Sequence, residues 1–152
     1  MELYLVRHGR ALSEVEDPAR PLSPQGREEV GKVARAAVKK GMSPARILHS
    51  GKLRAKETAE ILAAAVHPAQ GVSEIKGLAP QDDPVRAMLE VESEAESVAL
   101  AGHLPHLEGL FSLLTSGNGG APKVEFTTAT IVCLSREQGK WKVLWSLNPG
   151  SA

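Results

Sequence analysis

Leu3-Tyr4-Leu5-Val6-Arg7-His8-Gly9 stands at the start of the chain. Its first four residues are apolar, partly aromatic and β-branched, and the run stops at a glycine, so it reads as a short buried strand. The strand delivers an arginine and a histidine to its C-terminal end, with a flexible turn behind them. In open α/β sheets ligands bind in the crevice beyond those ends. An imidazole can act as a nucleophile, and a guanidinium can hold phosphoryl oxygens bidentately. Taken alone, Arg-His-Gly is better explained as a plain strand exit with two solvated side chains, because three residues recur often by chance. The rest of the chain shifts that balance.

Working outward, strand-like and helix-like segments alternate. A polar loop runs from Arg10 to Leu22. Ser23-Pro24 looks like an N-cap followed by proline at the first helical position. Val30, Val33, Ala34, Ala37 and Val38 follow at helical spacing, and Gly41 closes that helix. Arg46 to Ser50 is a second short strand, and residues 53–66 carry Ala55, Ala59, Leu62, Ala63 and Val66 on one helical stripe that ends at His67-Pro68. Gly71 to Ile75 reads as a weak strand, Leu78 to Asp83 as a Pro-containing loop, and Val85, Met88 and Leu89 as a short helix. Ser97 to Gly102 is another apolar strand, running into His103 as the first runs into His8. Leu107, Leu110, Phe111 and Leu114 then recur at helical spacing, and Ser116 to Pro122 forms a Gly-rich connector. The segments 130–134 and 141–147, separated by Gln138-Gly139, suggest an antiparallel hairpin. This alternation predicts an α/β fold, a three-layer α/β/α sandwich with a mostly parallel central sheet. No repeat or linker divides residues 1–152, which read as a single domain.

The 18 basic and 18 acidic residues balance, so no basic excess drives nucleic-acid or membrane-surface binding, and any anion site is local. Cys133 is the sole cysteine, which excludes an internal disulfide and points to a reducing, cytoplasmic setting. The N-terminus lacks a signal-peptide pattern, and no apolar run is long enough to span a bilayer.

Parallel strands bring their C-terminal ends together. Arg7, His8, Arg54 at the start of the second helix, and His103 would therefore meet at one sheet edge. Two arginines and two histidines suit a dianionic phosphoryl group with no metal or cofactor. A hydrogen bond to a charged group contributes about 1.5–3 kcal/mol, against about 0.3–1 kcal/mol for a helix N-terminus, so the arginines should dominate. A nucleophilic imidazole must be neutral, and neighbouring guanidinium groups disfavour its charged form.

Leu5-Val6-Arg7-His8-Gly9 resembles the opening motif of the histidine phosphatase (phosphoglycerate-mutase-like) superfamily. Ser50-Gly51-Lys52-Leu53-Arg54-Ala55-Lys56-Glu57-Thr58-Ala59 is similar to its second motif and Val98 to His103 to its third. Arg20-Pro21-Leu22-Ser23-Pro24-Gln25-Gly26, Thr127-Thr128-Ala129 and Trp145 to Pro149 resemble a compact branch, the bacterial phosphohistidine phosphatases acting on phosphotransfer domains. The resemblance implies a phosphoglycerate-mutase-like fold and a metal-independent hydrolase in which His8 becomes phosphorylated and water releases phosphate. It implies Arg7, Arg54 and His103 as holders of the phosphoryl oxygens. The partner it implies is a phosphorylated protein, a histidine phosphotransfer domain of a signalling system.

The resemblance has gaps. Mutases and phosphomonoesterases of this group place a carboxylic general acid after the third strand. Here that region reads Leu78-Ala79-Pro80-Gln81-Asp82-Asp83-Pro84. Asp82 or Asp83 could serve, but a helix cap is the better expectation. A site without a strong acid suits a good leaving group such as the nitrogen of phosphohistidine. With Asp82 or Asp83 as acid, a small-molecule phosphomonoesterase is the alternative, and a non-catalytic phosphate-binding module is a third. Gly51 replaces a frequent proline, and Arg10 stands where the branch often has a small or acidic residue; both bear on specificity. Arg20 either supplements the phosphate field or anchors its loop.

Other features have plainer explanations. Gly51-Lys52 lacks the remaining P-loop residues, and His103-Leu-Pro-His106 lacks zinc-motif spacing. His106 reads as a helix-start or pocket-rim residue, and His49 as pocket wall or strand packing. His67 reads as a solvated helix end, the run Glu90, Glu92, Glu94, Glu96 as a solvated face, and Cys133 as a core residue.

Overall fold

The computed structural model describes residues 1–116 and 123–152; all but the first residue of the expected Ser116–Pro122 connector lies outside the described residues. Ten elements follow in order: β1 (Glu2–Arg7), α1 (Pro24–Lys39), β2 (Arg46–His49), α2 (Leu53–Val66), β3 (Val72–Glu74), α3 (Pro84–Ser93), β4 (Val98–Gly102), α4 (His106–Thr115), β5 (Ile131–Glu137) and β6 (Lys140–Leu147). They build one six-stranded sheet in the order β3-β2-β4-β1-β5-β6. The pairs β1–β4, β2–β4 and β2–β3 are parallel. β5 joins β1 antiparallel and β6 closes that side as a hairpin around Gln138-Gly139. The expected mostly parallel α/β/α sandwich is the observed fold.

Side-chain alternation along β1 shows why both faces must be covered. Tyr4 and Val6 join a core with Val30, Val33, Ala34 and Ala37 of α1 and Ala59 and Leu62 of α2. Leu3 and Leu5 point the other way, into a core with Ala87 and Val91 of α3 and Leu107, Leu110 and Leu114 of α4. A strand buried on both faces reads as an unbroken apolar run, as this one does. Ser23 caps α1 by accepting the Gly26 N–H, with Pro24 at the first helical position.

Two helix faces differ from expectation. Val38 is 45% exposed, since the buried stripe of α1 ends at Ala37. On α3, Val85 and Leu89 are 41% and 59% exposed, and Ala87 and Val91 are buried instead. Met88, the third expected residue, is half-buried and does pack against this core, and α3 approaches α4 closely at its start, where a Cβ on Gly109 would lie 2.9 Å from Pro84 Cγ. Cys133 is buried in β5 as expected. The acidic run is less idle than its pattern suggests, because Glu90 and Glu94 both pair with Arg46 at the start of β2.

Candidate functional site

The C-terminal ends of β1 and β4 stay in step beyond the ladder: the His8 N–H donates to the Gly102 carbonyl at 3.0 Å. His8 and His103, 95 positions apart in sequence, thereby become neighbours, with ring centroids 5.0 Å apart. Both rings are largely shut off from solvent, at 9% and 1% exposure. The segment leading into β5 reaches the same edge, where Ala129 N–H donates to the carbonyls of Arg7 and His8 and Arg7 Nη1 donates to the Phe126 carbonyl at 2.7 Å.

The hydrogen bonds of the two rings fix their chemistry. His8 Nδ1 lies 2.7 Å from the Gly9 carbonyl. A carbonyl only accepts, so Nδ1 carries the proton and Nε2 keeps its lone pair. His103 Nε2 meets Ser50 Oγ at 2.6 Å, while its buried Nδ1 has no partner among the described residues. Ser50 Oγ also receives the Lys52 N–H at 3.3 Å.

Both imidazoles are held neutral. The pKa of His8 is pushed down to about 4, first by burial and then by the charges of Arg54, Arg7 and Arg20, with the Gly9 carbonyl opposing. That of His103 is pushed down to about 3, again by burial first, then by His8 and Arg54. Sequence reasoning named the guanidinium groups as the cause; burial outranks them, because the two-sided core seals the strand ends.

Arg7 sits at the end of β1 and Arg54 is the second residue of α2. Neither they nor Arg20 forms an ion pair among the described residues. The Nε atoms of Arg7 and Arg54 are buried and have no acceptor there. Unneutralised guanidinium charge around two neutral imidazoles is a setting for a dianion. Arg20, held at a positive φ of 49°, anchors its loop by donating from Nε to the Leu12 carbonyl, and its charge acts on His8 and Arg54.

The remaining candidates separate. Asp83 caps α3 by accepting the Val85 N–H, and Asp82 accepts the Ala79 N–H at 2.9 Å. Their charges act on His106, the buried first residue of α4. His49 is buried at the end of β2, where Nδ1 accepts the Gly51 N–H. Arg10 is tied to Glu29 at 3.0 Å and, with Arg7, lines a groove of about 850 Å³ whose apolar wall includes Leu104, Val124 and Phe126. Gly51 has a φ of +89°, which proline cannot adopt, and a Cβ there would lie 2.6 Å from the Glu74 carboxyl carbon. Thr58, whose hydroxyl bonds both Gly9 and Arg54, is a further polar residue beside the site; its sequence signal is a threonine next to the apolar stripe, one helical turn after Arg54.

Residues 3–82 match the family described as histidine phosphatase superfamily, branch 1. The chain belongs to that superfamily. A Picosynechococcus protein of uncharacterised role is 37% identical over 130 residues, covering 79% of this chain and 76% of its own. The structure of the protein histidine phosphatase SixA with tungstate is similar at a TM-score of 0.83 and 28% identity, covering 99% of this chain and 98% of that one. A SixA-type structure from Agrobacterium tumefaciens, 23% identical, shares the fold at a TM-score of 0.81 over 98% of both chains. Histidine-phosphatase-type hydrolysis is the activity these likenesses support. No helix among the described residues is long and apolar enough to cross a membrane.

Proposed function

We propose that residues 1–152 act as one histidine phosphatase domain that removes phosphate from phosphohistidine on a protein, through a phosphoryl group carried on His8. The observation that carries this reading is the Nδ1–H of His8 on the Gly9 carbonyl, which leaves Nε2 of the neutral ring unprotonated with its lone pair available.

The Nε2 lone pair forms a bond to phosphorus as the bond from phosphorus to the substrate's leaving nitrogen breaks, and that nitrogen takes its proton from solvent. The phosphorylated ring of His8 is cationic, and the Gly9 carbonyl stabilises it through Nδ1–H. A water oxygen then bonds phosphorus while the Nε2–phosphorus bond breaks, and the water proton passes to solvent. Arg7, Arg54 and Arg20 hold the phosphoryl oxygens and neutralise charge in the transition state, with His103 beside them.

Commitment of Asp82 and Asp83 to backbone amides favours a leaving group that needs little acid assistance. The likeness to SixA, a protein histidine phosphatase, points the same way. The partner in this reading is a histidine phosphotransfer domain of a signalling system inside the cell, and the open groove beside Arg7 gives such a partner room.

Turnover of a radiolabelled phosphohistidine protein, quenched in alkaline denaturant and mapped by peptide, tests it. Label on His8 and faster release from phosphohistidine than from phosphoesters are expected. Preferential phosphoester turnover that depends on Asp82 or Asp83 would replace it with the small-molecule phosphatase.

A further inference from the structure

We propose that Thr58 is a positioning residue that selects which nitrogen of His8 attacks phosphorus. The proposal rests on His8 as the nucleophile and goes beyond it by naming what orients the ring. Thr58 is fully buried on α2. Its hydroxyl donates to the Arg54 carbonyl at 2.8 Å and accepts the Gly9 N–H at 3.0 Å. A hydroxyl has one proton, so with the carbonyl taking it, a lone pair must receive Gly9.

The next peptide completes the chain, since the Gly9 carbonyl faces His8 Nδ1 at 2.7 Å. Both peptide planes flanking Gly9 are thereby fixed, one by Thr58 and one by His8. Gly9 needs such tethers, because glycine has the widest backbone freedom of any residue. It also cannot be replaced, since a Cβ would lie 2.5 Å from Val30 Cγ2. Without the Thr58 hydroxyl, the buried Gly9 N–H has no acceptor and the backbone turns to find one. The carbonyl then leaves Nδ1, and the proton is free to settle on Nε2, which removes the attacking lone pair. Because the same hydroxyl holds the Arg54 carbonyl, the helical turn that carries the guanidinium and the turn behind the nucleophile keep one register.

The test compares the parent chain with Thr58→Val and Thr58→Ser, using hydrolysis of para-nitrophenyl phosphate and nitrogen chemical shifts of the His8 ring. The parent should show the Nδ1–H tautomer. Thr58→Val should lower kcat about 10- to 100-fold with KM little changed, as expected for misplacement by a fraction of an ångström, and should mix the tautomers. Thr58→Ser should restore both. An Nε2–H tautomer in the parent overturns the proposal, as does a Thr58→Val enzyme with parental kcat and tautomer. If Thr58→Val does not fold, the parent tautomer and Thr58→Ser decide: a serine variant with a disturbed ring overturns it as well. A parent chain carrying no phosphoryl label on His8 sinks the nucleophile reading itself, whereas a labelled His8 indifferent to Thr58 sinks only this one.

Discussion

β1 and β4 end alike, each an apolar strand running into a histidine, yet the two junctions are built differently. After β1, His8 turns its Nδ1 onto the backbone of the very next residue and keeps some contact with solvent. After β4, His103 is sealed at 1% exposure and turns Nε2 onto Ser50, a side chain from another strand end. A local partner leaves the other nitrogen of His8 free to react, while a distant partner ties His103 into the pocket wall. The same sequence pattern yields a ring with Nε2 uncommitted to the protein at one junction and a ring tied to Ser50 at the other, because what decides is the partner of each ring nitrogen; in the proposed function the first is the nucleophile.

The sharpest way to break this comparison is to remove each ring in turn. His8→Ala should abolish turnover and phosphoenzyme label, whereas His103→Ala should lose about 100- to 1,000-fold in kcat and still accumulate label on His8. Equal residual activity in the two variants, measured by phosphate release, would erase the distinction. Arg54→Ala comes next: removing one preorganised cation should cost about 100-fold in kcat/KM, with weaker competition by inorganic phosphate.

Acidification sharpens it further. Both rings have folded pKa values, about 4 and about 3, below the ordinary 6.5. Between those limits the unfolded chain binds more protons than the folded one, so stability is present at neutral pH and lost as pH falls from about 6.5 toward 4. Melting temperatures should decline over that window, and His103→Gln should flatten the decline. Deprotonation of His8 should leave no inflection in kcat/KM between pH 5 and 8. Ser50→Ala should have the smallest effect, a few-fold loss in kcat, because a single hydrogen bond contributes about 0.5–1.5 kcal/mol. A larger loss would mean that Ser50 touches the substrate itself.

Much of this was legible in the sequence. The run Leu3–Val6 and the strand into His103 declared themselves because burial on both faces forces unbroken apolar runs, and the helix 53–66 by the apolar stripe that its one buried face requires. Those elements alone place Arg7, His8, Arg54 and His103 at one edge. The face of α3 was only partly legible: Met88 packs on the core as its spacing suggests, but Val85 and Leu89 fit a helical stripe as well as Ala87 and Val91 do. The choice between them depends on how α3 packs on α4 and the sheet, an arrangement of distant segments. Burial as the main cause of the depressed histidine pKa values was hidden for a like reason, since a sequence lists charges but not the protein packed around them. Thr58 was hidden because a hydroxyl's two partners, Gly9 and the Arg54 carbonyl, emerge only once α2 lies against the turn after β1.

Glu74 occupies the space that a side chain at position 51 would need. Position 51 is therefore an exchange point between bulk and charge: any larger residue there evicts a carboxylate from the corner beside Ser50. With glycine in place, the Glu74 carboxylate keeps that corner, one residue from the Ser50 whose hydroxyl meets His103. That charge is felt by His49, which ends β2 just before the corner.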